Sequence, residues 1–391
     1  MMRKQAYFGT VALFLALLGI LAAAFWILPD REFSEQENRS LQGLPRLDAE
    51  ALLSGRYADA VNDYFADQFP MRDSLVALKG LCELARGMGE NDGILLGRDG
   101  HLARGRFEMR DVGGALLTDT DYFDPARVAL ATERLSELSE SLGCSFTVMA
   151  VGRAIDICAA SFDYPSCLSE RLLSLFDAEL ADTLSRVDVT DILRERHAAG
   201  EYVYYRTDHH WTTRGAYYAY AALMREMGME EEILPQDAFQ IRTVEDFYGT
   251  AWSAGGMKFV PPDALEIWTL GDEGEYLVVA DGRELDGFYA EGYLAKKDKY
   301  SVFLDGTHDV VTVTRRDGAE RPTLLILRDS YASSIAPFLA RHFDLVLLNL
   351  SSTRTDFTDL SGLVVQYRPD RAVLIYGMEN ILTADKVTRL H

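Results

Sequence analysis

The chain has 391 residues, 61 of them acidic and 39 basic, which gives a net charge of −22. That excess repels a phosphate backbone unless one basic face is set aside, and no basic run is visible, so nucleic acid is not expected as a partner. With 48% hydrophobic and 11% aromatic residues there is ample material for a full core, in one large domain or two ordinary ones.

From the N-terminus, Arg3 and Lys4 lead into an uncharged stretch, 6–28, that ends at Pro29 and Asp30. An apolar helix of that length crosses about 30 Å of hydrocarbon. It reads as a cleaved signal peptide or as a retained transmembrane anchor. The bulky run Phe25, Trp26, Ile27, Leu28, where cleavage would need small residues, favours the anchor. With the positive end inside, the chain is a single-pass membrane protein whose globular part is extracytoplasmic. Cys82, Cys144, Cys158 and Cys167 then lie where disulfides persist. Spacing leaves all three pairings open; Cys158 with Cys167 would close a local loop, and buried free thiols are equally admissible.

Residues 30–56 are polar and turn-rich, a tether to a globular domain over 57–391. Apolar Tyr57, Val61, Tyr64 and Phe65 at helical spacing, with a break at Pro70, predict two short helices. Asp99-Gly100 between apolar flanks predicts a hairpin. From about residue 125 helices alternate with short apolar strands: a helix over 125–143, a strand at 144–151, a helix over 168–185 and a strand at 186–193. The alternation returns near the C-terminus with strands at 323–330, 344–350 and 371–377. Such βα alternation predicts a parallel sheet covered on both faces. Between the two blocks, residues 230–318 are rich in glycine, aromatic and β-branched residues and predict a mainly antiparallel insertion beside that sheet.

Two of the seven histidines stand together in RTDHHWTTRG, 206–215. The stretch is predicted as a strand, a turn and a helix capped by Thr212 or Thr213 and stopped at Gly228. Asp208 and His210, two apart, face the same way, so the carboxylate can fix one imidazole tautomer and stabilise the ring when protonated. A nucleophile for such a base lies in TLLILRDSYASS: Ser330 follows a buried strand and precedes a helix, with its own N–H near the positive end of the helix dipole. His209 and His210 also have metal-ligand chemistry, but no third donor is evident, and neither metal nor cofactor is expected. Trp211 and the tyrosines at 202–205 and 217–220 are either a sugar-stacking platform or core. The stretch around Trp252 is a mobile loop over the cleft or a simple turn region.

TDHHWT followed by RDSYAS resembles the DHHW proteins and the related alginate O-acetylation proteins, which are SGNH-hydrolase-like enzymes. SEQENRSL, YFADQFPMRDSLVALK, GILLGRDGHL and YSVFLDG extend the resemblance over most of the chain beyond the apolar stretch. It implies a flavodoxin-like three-layer α/β/α sandwich with Ser330 as nucleophile, His210 as general base and Asp208 as its orienting partner. Gly249, Asn380, Tyr331 and Trp211 are candidate oxyanion or substrate contacts. The implied reaction is O-acetylation of an extracytoplasmic polysaccharide through an acyl-serine, with a multipass membrane acyltransferase as acetyl donor. A serine esterase with the same triad, or a non-catalytic polysaccharide-binding scaffold, are the alternatives. Arg328 departs from the Gly-Asp-Ser that SGNH enzymes commonly carry, and no GxSxG elbow is present.

Overall fold

The computed structural model describes residues 2–34, 39–105, 111–112, 115–116, 125–162, 178, 184–352, 354–355, 357, 359–383 and 387–390. Two compact units are distinguished, Met1–Met88 with Gly256–Lys258, and the remainder. In the first, helix α1 (Met2–Ile27) contains an apolar span, Phe8–Ile27, with mean hydropathy 2.5. That span is long and apolar enough to cross a membrane, and equally fits a signal sequence. Helices α2 (Arg56–Asp67) and α3 (Arg72–Ala85) follow, broken at Pro70 as the sequence predicts.

The second unit opens with the hairpin of β1 (Ile94–Leu96) and β2 (Leu102–Arg104). Asp99 and Gly100 both take positive φ, 55° and 79°, the conformation a tight hairpin turn demands and the reason for Asp-Gly there. Helix α4 (Pro125–Leu142), strand β3 (Ser145–Val151) and helix α5 (Ala154–Ile157) come next. The helix predicted over 168–185 falls almost wholly outside the described residues. The strand predicted at 186–193 is instead a short β4 (Leu184–Arg186) and a helix, α6 (Val189–Ala198). Asp188 explains the difference, because its side chain accepts the Thr190 N–H and so caps a helix where the apolar pattern suggested a strand.

Helix α7 (Thr213–Glu226) is capped by the Thr212 hydroxyl on Gly215 N–H, and Gly228 beyond it takes φ 73°. The strand expected before it is absent; a single antiparallel bridge, Tyr204 with Trp211, closes a loop around residues 205–210. The insertion divides. Strands β5 (Gln240–Phe247) and β6 (Asp263–Thr269) form their own antiparallel pair, separated by helix α8 (Thr250–Gly255). Strands β7 (Tyr276–Ala280), β8 (Arg283–Leu285) and β9 (Val310–Arg315) extend the main sheet rather than lying beside it.

The main sheet is completed by β10 (Thr323–Arg328), helix α9 (Ala332–Leu339), β11 (Asp344–Asn349), helix α10 (Ser361–Tyr367) and β12 (Arg371–Gly377). Its order is β8-β7-β9-β11-β10-β12-β3-β4, eight strands among the described residues. Strands β11, β10, β12, β3 and β4 are parallel, and β9, β7 and β8 continue antiparallel. Alternation along β10 separates two cores. Leu324 and Ile326 pack with Trp211, Leu223 and Phe338, whereas Leu325 and Leu327 pack with Leu135, Val346 and Leu374. The fold is mixed α/β, with apolar material on both faces of a largely parallel sheet.

Gly215 sets the approach of α7 to the loop before it. A Cβ there would stand 2.2 Å from the Val203 carbonyl oxygen and 3.0 Å from Trp211 Cβ. Gly215→Ala is expected to cost about 1–3 kcal/mol by overpacking, read as a lower urea midpoint; an unchanged midpoint would mean that this contact is relaxed in solution.

Candidate active site

Strand β10 lies inside the parallel part of the sheet, between β11 and β12, and ends at Arg328. The chain turns at Asp329 and Ser330 and enters α9, so the serine sits at the carboxyl edge where open α/β sheets bind ligands. Asp329 makes the turn. Its Oδ1 accepts the Tyr331 N–H at 3.0 Å, and its Oδ2 accepts the Gly377 N–H at 2.6 Å and the Asn380 amide at 2.8 Å. Burial raises the Asp329 carboxyl despite those donors.

The loop from Tyr205 to His210 brings its side chains to that edge. His210 Nε2 is 2.7 Å from Ser330 Oγ, across 120 residues of sequence. His210 Nδ1 is 2.5 Å from Asp208 Oδ1. A carboxylate only accepts, so Nδ1 carries the hydrogen and Nε2 presents its lone pair to the serine hydroxyl. His210 is 4% exposed and Ser330 half-buried. The Tyr300 ring stacks on His210, centroids 3.8 Å apart and 8° from parallel.

Asp208 is 1% exposed. Burial alone would push its carboxyl up. The His210 and His209 imidazoles, the hydrogen bond from His210 and the Thr250 N–H outweigh it and hold the group well below the ordinary carboxylate range. Thr250 donates twice to Asp208 Oδ2, from its N–H at 2.7 Å and its hydroxyl at 3.0 Å. Its position on the first turn of α8 adds the favourable end of the backbone dipoles. The segment around Trp252 is thus this helix. Asp263, 1% exposed, pins the other side of the loop by accepting the Thr207 N–H at 2.8 Å, the Thr207 hydroxyl at 2.5 Å and the Arg206 N–H at 3.1 Å.

The remaining predicted residues divide. Trp211 is not a substrate platform: it is 0% exposed, and its indole N–H donates to Ser334 Oγ at 2.9 Å, tying the loop to α9. Tyr204, Tyr205, Tyr217 and Tyr220 are buried likewise. Gly249 is not a free oxyanion donor, because its N–H goes to Thr207 Oγ1 at 3.0 Å; a Cβ there would lie 2.2 Å from Asp208 Cβ, so the glycine makes room for the carboxylate. Asn380 gives one amide hydrogen to Asp329 and lines the cavity that holds Ser330, together with Arg328, Asn349 and Arg354. Arg328 is 1% exposed; its guanidinium donates to Ser333 Oγ and the His308 carbonyl, each at 3.1 Å, while Nε has no partner. Tyr331 lines an adjoining cavity with His209 and Thr250, and its hydroxyl donates to the His209 carbonyl. Both nitrogens of His210 are occupied, by Asp208 and Ser330; Asp208, His209 and His210 also bring one donor atom each within 4.8 Å of one another, so the third donor not evident in the sequence is the Asp208 carboxylate.

Thr250, Asp263 and Tyr300 were missed by reading motifs. The available signals were a carboxylate opening the apolar strand 263–269 and a tyrosine in the YSVFLDG segment.

The family model described as DHHW protein matches residues 148–349, just over half of the chain. No curated protein gives a significant match. Among solved structures, a DHHW family protein from Eubacterium siraeum is 18% identical, with 74% of this chain and 95% of that one covered and a TM-score of 0.57. PatB1 from Bacillus cereus, described with a sulfonyl adduct, is 16% identical over 76% of this chain and 98% of its own, with a TM-score of 0.61. The O-acetyltransferase domain of Pseudomonas putida AlgJ is 14% identical over 74% and 92%, and its TM-score of 0.44 is too low to weigh. The first two likenesses establish a shared fold.

Asp208 titrates in the folded chain below its unfolded value of about 3.9. The stability it contributes is therefore complete above about pH 4 and is lost as the pH falls toward the folded-state value. Urea midpoints followed from neutral pH into acid should fall less steeply in Asp208→Asn than in the parent chain, and parallel curves would remove Asp208 as a net-stabilised charge. Gly249→Ala should lower stability at neutral pH by about 1–3 kcal/mol through its collision with Asp208, measured by the same denaturation.

Proposed function

The chain belongs to the DHHW protein family, and from that premise we propose that it is an extracytoplasmic serine O-acyltransferase, acetylating a cell-surface or secreted polysaccharide. The observation that carries the reading is the continuous relay Asp208 to His210 to Ser330, with heavy-atom separations of 2.5 and 2.7 Å. A hydroxyl in hydrogen-bond reach of an oriented base is the requirement for nucleophilic acyl transfer.

In this reading Ser330 Oγ attacks the acyl carbonyl as its proton passes to His210 Nε2. The tetrahedral intermediate collapses when His210 returns that proton to the departing group of the donor, leaving an acyl-serine. A sugar hydroxyl then attacks, yields its proton to His210 and displaces Ser330, which is reprotonated. Asp208, ionised throughout, stabilises the imidazolium formed in each half. The Ser330 N–H, at the head of α9, and the second amide hydrogen of Asn380 are the donors proposed for the oxyanion. Tyr331 is proposed to shape the substrate side of the adjoining cavity. The N-terminal helix is proposed as a retained anchor, and a multipass membrane acyltransferase as the source of acetyl groups.

A sulfonyl fluoride and p-nitrophenyl acetate are suitable probes, since both report an activated serine. Intact-mass measurement of the chain should show a single acetyl group mapped to Ser330, absent in Ser330→Ala. The rate of acylation should drop by roughly 10²–10⁴ in His210→Ala. A folded parent chain that neither reagent labels would overturn the catalytic reading. Acetyl-enzyme that turns over in water as fast as with glycan would instead make it an esterase.

A further inference from the structure

A second cluster of reactive side chains in the same unit plays no part in the serine relay. His101 follows the turn between β1 and β2, Cys158 follows α5, and His197 lies in the last turn of α6. Their ligand atoms lie within 4.8 Å of one another. Cys158 Sγ is 3.8 Å from His197 Nδ1, and the two imidazoles meet edge to face with centroids 5.7 Å apart. Cys158 is 0% exposed, His101 9% exposed, and His197 half-buried.

One hydrogen bond orients the His101 ring. His101 Nδ1 is 3.1 Å from the Arg98 carbonyl oxygen. A carbonyl only accepts, so Nδ1 carries the hydrogen and Nε2 keeps its lone pair. A bond from the far ring nitrogen to a backbone carbonyl is the arrangement that orients metal-bound imidazoles.

We propose that His101, Cys158 and His197 form a three-ligand site for a transition-metal cation of the zinc class, with water completing the coordination. One thiolate and two imidazoles select such ions over Mg²⁺ and Ca²⁺, which take oxygen ligands. Tetrahedral zinc, at about 2.3 Å from sulfur and about 2.0–2.1 Å from nitrogen, holds its ligand atoms roughly 3.3–3.6 Å apart. The Cys158 and His197 pair, at 3.8 Å, already approaches this separation, and the His101 ligand atom lies within 4.8 Å of both. The three ligands come from the hairpin, the end of α5 and the last turn of α6, so a bound ion cross-links them. Strand β2 of that hairpin supplies Leu102, Ala103 and Arg104 to the cavity shared by His209 and Tyr331, so the ion braces one wall of the cleft without touching the reacting atoms.

The test uses the full chain in detergent, stripped with chelator and titrated calorimetrically with Zn²⁺, with Co²⁺ as a spectroscopic probe. One Zn²⁺ per chain is expected, together with a thiolate-to-cobalt charge-transfer band in the near ultraviolet. Cys158→Ser and His197→Gln should each weaken binding tenfold or more, and Ser330→Ala should leave the stoichiometry intact. The cobalt band is read on the parent chain and so does not depend on any variant folding. Absence of binding by the folded chain, binding undiminished in both ligand variants, or mapping of Cys158 to a disulfide with Cys167 would each overturn the site. None of these readouts involves acyl transfer.

Discussion

A carboxylate charge carried into the interior governs the local architecture. An ionised carboxylate without partners in such a place costs several kcal/mol, and Asp208 meets that cost with an unusual density of donors. The imidazole takes one oxygen and both donors of Thr250 take the other. Each requirement propagates outward. Helix α8 must begin at Thr250 to aim its first N–H, the residue before it must be glycine to let the carboxylate in, and Thr207 must be held by Asp263 so that the loop cannot swing away. The backbone over 206–210 and 249–250 is therefore arranged around the solvation of one charge.

The second constraint is long-range. The His210 imidazole and the Ser330 hydroxyl come from segments far apart in sequence, and their alignment depends on α7 lying firmly on α9. Tyr220 stacks on Phe338, with centroids 5.6 Å apart, and Tyr217 meets the same ring edge-on at 5.8 Å. Trp211 adds a polar lock through Ser334. The tryptophan of the DHHW motif thus acts through position: adjacent to His210 in sequence, it binds the helix that follows Ser330. Preorganisation of this kind lets a hydrogen-bond relay survive thermal motion without substrate.

Features encoded by local pattern were legible in the sequence. Strands β3, β10, β11 and β12 are continuous apolar runs, the Asp99-Gly100 turn is dictated by backbone sterics, and Thr212 with Gly228 bounds α7 by capping chemistry. Legibility failed where tertiary partners decide. Apolar residues at 187, 189 and 193 fit a strand as well as a helix, and only the Asp188 cap resolves them. The antiparallel strands joined the main sheet because β9 pairs with β11, a register no local signal specifies. At the site, Asp208, His210 and Ser330 stood out by residue type, whereas Thr250 and Tyr300 act through an N–H and a ring face that ordinary residues supply anywhere. Of the two readings the sequence leaves open for Trp211, the core one holds, whereas the close approach of Gly249 to Asp208 is invisible in one dimension.

The flat stacking of Tyr300 on His210 limits how the site can work in time. With one face of the imidazole covered at 3.8 Å and its far nitrogen anchored, a flip of the ring would break both contacts. In the proposed two-step transfer His210 would then be one fixed proton port for both halves. The oxygen that departs and the oxygen that arrives would have to visit the same point in space, so the first product would vacate before the second substrate enters. A fixed imidazole would thereby convert a geometric contact between two rings into an obligatory order of traffic.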